Sequence, residues 1–367
     1  MRVVVAVDSF GETMTAPEAA QAVAEGWRQI SPTDDLDLAP VSDGGPGFVD
    51  VLAAALSAEP SRRTVRGPHG RDVDASVLLR DGTAYVESAQ AIGLHLLAEG
   101  ERDPRRTTSF GAGQLVDAVV AAGASRVVVG LGGSGTNDGG AGLWAALGAT
   151  ADVALDTGGG ALIGLGEVRP PDIDVEVVAA TDVDNPLLGP NGASAVFGPQ
   201  KGADRAAVLD LDDALRRWAD AVEQATGRVG LRDAAGAGAA GGLGFGLLAL
   251  GASRAPGFGM VAEAIGLADR IARADLVVGG EGAFDTTSLR GKAVAGVAAL
   301  AQQAGVPCVV LAGRAEVGRR DAAAAGVEEI YSISDVLGSS PAALAAGAAG
   351  LVETAARVAR AWSRTRS

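Results

Sequence analysis

The sequence predicts an α/β protein, an open parallel sheet joined by a second, inserted α/β domain. Three observations predict it. Short β-branched runs such as Val127, Val128 and Val129 stop abruptly in glycine-rich polar loops and give way to helical stretches, as strands covered on both faces do. Between 65 and 97 the pattern changes to short alternating runs broken by turn residues, which marks the start of a second unit. At 367 residues the chain is long enough for two domains with real cores.

Residues 2–7 form the first strand candidate and end in Asp8, Ser9, Phe10 and Gly11, ahead of a helix over 16–30 punctuated by Pro17 and Pro32. A second strand over 37–41 runs into Ser42, Asp43, Gly44, Gly45, Pro46 and Gly47, then into a helix over 48–56. Each loop thus carries an aspartate outside the carboxyl end of a strand, where open parallel sheets bind ligands. Asp81-Gly82 between apolar runs signals a hairpin. His69 and His95 read as turn or packing residues, since no partners are spaced for a metal.

A helix over 107–122, opened by Thr107, Thr108 and Ser109, leads to the stretch around which the chain is organised, 127–142. There three valines empty into glycines around Ser134, Thr136, Asn137 and Asp138; the plain alternative is a turn at 137–140. A strand over 175–180 empties into Thr181, Asp182, Val183, Asp184, Asn185 and Pro186. Carboxylates two residues apart can face one side and share a cation or substrate hydroxyls, or simply form an Asx turn. A helix covers 209–225, and 236–246 is rich in glycine and alanine. A short strand over 275–278 opens into a loop over 279–285 containing Glu281 and Asp285; 286–288 caps a helix that holds Lys292 in its first turns. Strands over 306–312 and 329–333 and a helix over 341–362 complete the sheet, with Cys308 in the core.

Composition narrows the chemistry. One cysteine excludes an intrachain disulfide, and two histidines leave no Cys/His metal cluster. A net charge of −15 argues against nucleic acid and means that an anionic substrate needs locally placed cations, helix N-termini or a metal ion. No basic stretch followed by an apolar core opens the chain and no uninterrupted apolar span reaches bilayer length, so a cytoplasmic protein without a membrane partner is expected. All but two of the 30 basic residues are arginine; the exceptions, Lys201 and Lys292, lie in glycine-flanked loops where an ammonium can meet phosphate or carboxylate.

The dinucleotide pattern G-x-G-x-x-G occurs at 130–135 and 236–241, but with 54 glycines chance supplies roughly one match, so a nicotinamide dehydrogenase has little support. The Walker pattern and a nucleophile elbow with a histidine partner are absent. Glycine-rich strand-to-helix loops, two lysines and several carboxylates fit phosphoryl transfer, in which amides and lysine hold phosphates while carboxylates hold Mg²⁺ and take the acceptor proton.

The blocks DSF, DGG at 43–45, TSFGAGQL, GLGGSGTNDGGAG, TDVDNPLLGPNGASAVFGPQKGA, GAGAAGGLGFGL and GEGAFDTTSLRGK together resemble the type-1 glycerate kinase family, in register from Val3 to about Ile333. The resemblance implies ATP- and Mg²⁺-dependent phosphorylation of glycerate, usually to 2-phosphoglycerate, or of a related small hydroxy acid, in a cleft between two α/β domains. The expected division is a Rossmann-like domain of 1–62, 102–138 and 256–367 and a second domain of 63–101 and 139–255; a homodimer is left open. On matching positions the resemblance puts Asp8, Ser9, Ser134, Asn137, Asp138, Asp184, Asn185 and Lys201 around the substrate. Gly132, Gly133, Gly280, Glu281 and Gly282 fall to the nucleotide, Asp182, Asp285, Lys292 and Asp43 to catalysis, and Asp182 and Glu281 to the metal. Asp182, Asp285 and Asp43 stand as alternatives for the base.

Four positions depart from the family pattern: Gly11 for a lysine, Pro46 for a glutamate, Ala283 for an arginine and Thr287 for a glutamine. The two lost cations remove anion contacts worth about 1.5–3 kcal/mol each if buried. The alternative to an active kinase is therefore a catalytically weakened paralogue that binds nucleotide or sugar acid.

Overall fold

The computed structural model describes all residues except Glu12, Thr287, Arg290, Gly291 and 364–367. In chain order the strands are β1 (Arg2–Val7), β2 (Asp35–Leu38), β3 (Ser61–Arg66), β4 (Asp72–Arg80), β5 (Thr83–Glu87), β6 (Arg126–Gly130), β7 (Thr150–Ala151), β8 (Val168–Arg169), β9 (Glu176–Ala180), β10 (Ser253–Ala255), β11 (Leu276–Phe284), β12 (Cys308–Ala315) and β13 (Glu329–Ser332). The chain divides into two compact units, Met1–Asp43 with Phe258–Ser367, and Gly44–Gly257.

The first unit is built on an all-parallel sheet of order β13-β12-β11-β1-β2. The inner strand β1 shows why: Val3, Val5 and Val7 enter one apolar cluster while Val4 and Ala6 enter another, so both faces are covered and the sequence reads as an unbroken apolar run. Helices Ala16–Arg28 and Ser340–Trp362 supply the first cluster, and helix Ala293–Ala304 the second. Helix Ala16–Arg28 starts at a capping box of Thr15 and Glu18. A side chain at Gly26 would stand 2.1 Å from the Val352 carbonyl oxygen, so only glycine lets the two helices come this close. Helix Ser340–Trp362 is long and apolar enough by length and composition to cross a bilayer, but Glu353, Arg357 and Arg360 interrupt it and Leu351, Ala355, Val358 and Ala359 are buried in the core of this unit.

The second unit carries a mixed sheet of order β10-β9-β6-β5-β4-β3, antiparallel through β3-β4-β5 and parallel through β5-β6-β9-β10, and a small β7-β8 ribbon. The β4-β5 hairpin turns at Asp81 (φ 50°) and Gly82 (φ 78°), the two left-handed residues that Asp-Gly supplies. In its core Trp144 and Trp218 meet edge to face at 5.3 Å, and their indole N–H groups donate to the carbonyls of Gly246 and Gly139.

Three expectations are corrected. Segments 44–62 and 102–138 belong to the second unit, because β6 pairs with β5 and β9 and β3 pairs with β4. A buried valine run looks the same in either sheet, so its pairing could not be read locally. Strand β11 does not stop at 278: it continues to Phe284, paired with β12, so Glu281 is a strand residue. Gly279, Gly280 and Gly282 hide it, having no side chains with which to mark a strand. Lys292 is the N-cap of helix Ala293–Ala304 rather than a residue of its first turns.

Candidate active site

In the first unit β1 and β11 lie side by side, and their carboxyl ends gather acid. The Asp8 amide donates to the Gly280 carbonyl at 2.8 Å, which pins the residue after β1 to β11, and the Ser9 amide donates to Asp8 Oδ1 at 2.6 Å. Burial pushes the Asp8 carboxyl well above its ordinary range, and the charge of Asp43 and then of Glu281 adds to the push against the Ser9 hydrogen bonds. Burial likewise pushes Glu281 up to about 7, with Asp43 and Asp285 adding to it while Ser288 and Lys292 pull down. Glu281 is 9% exposed and its Oε1 has no hydrogen-bond partner. A buried carboxylate oxygen left unfilled among three other carboxylates is costly to the fold, and so points to a cation or proton from outside the chain.

These hard oxygen donors fit Mg²⁺, which takes one or two carboxylates and completes its shell with water and phosphate. Among the described residues no three His, Cys, Asp or Glu close into a metal cage. Glu281, with Asp8 or Asp43, would supply the carboxylates for such an ion; Asp182, expected beside Glu281, lies in the second unit.

The polar loop after β6 in the second unit is built differently. Asp138 is fully buried and accepts from the Ser109 amide at 2.7 Å, the Ser109 hydroxyl at 2.9 Å and the amides of Gly140 and Gly142, both at 3.2 Å. Burial raises its pKa against those bonds. Lys201, 2% exposed, donates to Ser134 Oγ at 2.9 Å and to the Thr136 carbonyl at 2.7 Å. Burial lowers its ammonium to about 7, with Asp138 pulling the other way. Asn137 donates to Ser194 Oγ at 2.9 Å, while its Oδ1 and Thr136 Oγ1 are buried without partners. At the end of β9, Asp182 and Asn185 are half-buried, and Asn185 donates to the Asn191 carbonyl at 2.8 Å. Asp184 is exposed and paired with Arg254 at 2.6 Å.

The glycines expected at the nucleotide have nearer reasons to be glycine. A side chain at Gly132 would meet Gly45 Cα at 2.6 Å, one at Gly133 (φ 61°) the Pro46 ring at 2.9 Å, and one at Gly280 the Leu311 carbonyl oxygen at 2.6 Å. Gly282 would meet the Gly11 amide nitrogen at 3.0 Å. Of the four departures, Pro46 thus seats on the loop after β6, Gly11 lies beside Gly282, and Thr287 lies outside the described residues. The sequence reading missed Glu87, 3% exposed, which accepts from the Val49 amide at 3.2 Å and is pushed up to about 7 by burial. No local motif marks it: it stands at the end of β5 and meets the first turn of helix Phe48–Leu56 through Val49, 38 residues earlier. Ser109 belongs to the TSFGAGQL stretch, and only the fold brings it to Asp138, 29 residues on.

An α/β protein with an acidic, oxygen-lined strand end is an enzyme scaffold of a common kind. Comparison with known proteins is narrower. The profile of the Glycerate kinase family matches residues 3–363. The glycerate kinase of Bacillus subtilis is 41% identical over 345 residues, 91% of this chain and 90% of that one. The glycerate 2-kinase of Escherichia coli K12 is 39% identical over 351 residues, 92% of each. The crystal structure of a chain assigned as glycerate kinase 2 from Salmonella typhimurium LT2 superposes with a TM-score of 0.76 at 36% identity, over 99% of this chain and 98% of that one. The chain belongs to the glycerate kinase family.

Proposed function

We propose that the protein transfers the terminal phosphoryl group of ATP, with Mg²⁺, to a hydroxyl of D-glycerate, giving 2-phosphoglycerate. The observation that carries the reading is Glu281, a buried carboxylate with an unfilled oxygen, beside Asp8, Asp43 and Asp285, in a member of this family. Mg²⁺, when bound, supplies charge neutralisation at the phosphates. Glu281, with Asp8 or Asp43, would hold the cation. Lys292, half-buried as the N-cap of a twelve-residue helix, offers its ammonium and the helix amides to phosphate. The proton of the acceptor hydroxyl leaves to Asp43 or Asp285, with Asp182 as the alternative. Ser9, Asp182 and Asn185 are candidates for substrate hydroxyls. Ser134, Asn137, Asp138 and Lys201 shape the loop after β6. The Escherichia coli relative's name supports the 2-hydroxyl as acceptor. A cytoplasmic location suits an ATP-dependent enzyme with one buried free thiol.

The weakened-paralogue reading keeps one observation in its favour, the absence of cations at Gly11 and Ala283. A coupled ADP-release assay with Mg-ATP against D-glycerate and other small hydroxy acids separates the two, and phosphorus NMR of the product identifies the hydroxyl. Turnover with a 2-phosphoglycerate signal is expected. Nucleotide binding without ADP release on any acid would overturn the kinase reading.

A further inference from the structure

Asp43 runs directly into loop 44–47, and that loop is pressed onto the carboxyl ends of β6 and β9. A side chain at Gly44 (φ 94°) would stand 2.8 Å from the Ala180 carbonyl oxygen, and one at Gly130 2.5 Å from the Gly44 carbonyl oxygen. Side chains at Gly132 and Gly133 would likewise strike Gly45 and Pro46. The backbones are therefore in contact, and the loop has little room to shift toward the sheet. It ends at Gly47 (φ 91°), the N-cap of helix Phe48–Leu56, where a left-handed glycine offers no side-chain acceptor to the first amides of the helix. Glu87 provides that acceptor from the end of β5, where it stands in register with Gly130. Its carboxylate accepts from the Val49 amide at 3.2 Å and from the Gly47 amide, and the Gln90 side-chain amide donates to it at 3.3 Å. Gln90 is held in turn, its Oε1 accepting from the Ser76 amide at 2.6 Å.

This anchor costs the fold stability. Glu87 takes its hydrogen bonds from neutral N–H groups, and burial, with the charge of Asp50 adding to it, pushes its carboxyl up to about 7. What it secures is the far end of the loop that begins at Asp43. The charge of Asp43 acts on both Asp8 and Glu281, so a small swing of this segment alters the electrostatics at both carboxylates. We propose that Glu87 is a positioning residue for Asp43: by tying Gly47 and Val49 to the end of β5 it keeps loop 44–47 on β6 and β9, and so fixes the direction in which the chain presents the Asp43 carboxylate. The proposal rests on the phosphoryl-transfer reading, in which Asp43 takes the acceptor proton or joins Glu281 at the cation. Glu87 acts through the loop and not on the reactants.

The test is a double-mutant cycle on the full-length enzyme, with kcat measured for D-glycerate and Mg-ATP. Glu87→Ala is expected to lower kcat by about 10- to 100-fold, the scale of a misplaced reacting group. Glu87→Gln, which keeps one acceptor oxygen, recovers most of that loss. Asp43→Asn is expected to lower kcat by about 100-fold, and on that background Glu87→Ala costs less than about 3-fold more, because the group it positions is already gone. An unchanged kcat in Glu87→Ala or in Asp43→Asn, or losses that multiply in the double variant as those of a merely structural residue do, would overturn the proposal. If Glu87→Ala does not fold, Glu87→Asp, whose carboxylate stops one methylene short of the amides, takes its place in the cycle with the same expectation. If the unaltered enzyme proves silent on D-glycerate, the functional reading fails by itself, and hydrogen exchange then decides Glu87. In the substituted protein, exchange over 43–49 is expected to rise by about 10-fold while helix Ala16–Arg28 keeps its protection. No rise over 43–49, or an equal rise in both segments, would count against the anchor.

Discussion

Two glycine-rich polar strand ends in this chain look alike as sequence and do opposite things. After β6 every ionised group is tied inward: Asp138 accepts four hydrogen bonds, and Lys201 spends its ammonium on Ser134 and Thr136. At β1 and β11 burial, with the charge of Asp43 beside it, pushes the carboxyls of Asp8 and Glu281 up, and Glu281 Oε1 is unfilled. The first arrangement gives rigidity; the second stores unfavourable charge that a ligand can relieve. Sites that act on substrates are commonly of the second kind and cost the fold stability.

That contrast can be broken by substitution. Glu281→Gln is expected to lower kcat by about 100-fold or more, the scale of losing one preorganised charged group, while leaving the free energy of unfolding equal or higher because a repelling charge is gone. Asp138→Ala should do the reverse, costing about 3 kcal/mol in urea unfolding, since it strands the buried donors of Ser109, Gly140 and Gly142. Lys201→Met should cost about 2 kcal/mol, since it leaves Ser134 Oγ and the Thr136 carbonyl without their donor.

The smallest effect is in pH. Glu281, about 7 in the fold against 4.5 unfolded, binds more proton in the native state between those values. Its share of stability is therefore fully present below pH 4.5 and lost as pH rises through 7; Asp8 and, in the other unit, Glu87 act with the same sign. Lys201, about 7 in the fold against 10.5 unfolded, binds less, so the penalty it imposes below pH 7 lifts as pH rises toward 10.5. Metal-free urea titrations across pH should show Glu281→Gln flattening the lower window and Lys201→Met the upper. Interchanged or absent flattening would break the comparison.

Much of the architecture was legible because it is local. The continuous apolar run of β1, the Asp81-Gly82 hairpin and the helix over Phe48–Leu56 follow from short-range pattern and turn chemistry. Pairing was not local: Val127 to Val129 could belong to either sheet, and the glycines of β11 concealed the strand that holds Glu281. For the site, the sequence brought Asp8, Asp43, Glu281, Asp285 and Lys292 forward as candidates, and these share one unit. It could not tell a lysine that faces solvent from one sealed under Ser134, nor an aspartate that anchors a loop from one that awaits a cation. Burial and hydrogen-bond partners make that difference, and both come from contacts far apart in the chain.

The most direct test of the account is one preparation of Glu281→Gln on which kcat with D-glycerate and Mg-ATP and the urea unfolding midpoint are measured together. The account predicts a kcat at least 100-fold below the unaltered enzyme with a midpoint equal or higher. A normal kcat, or a fallen kcat with a matching loss of stability, would contradict it.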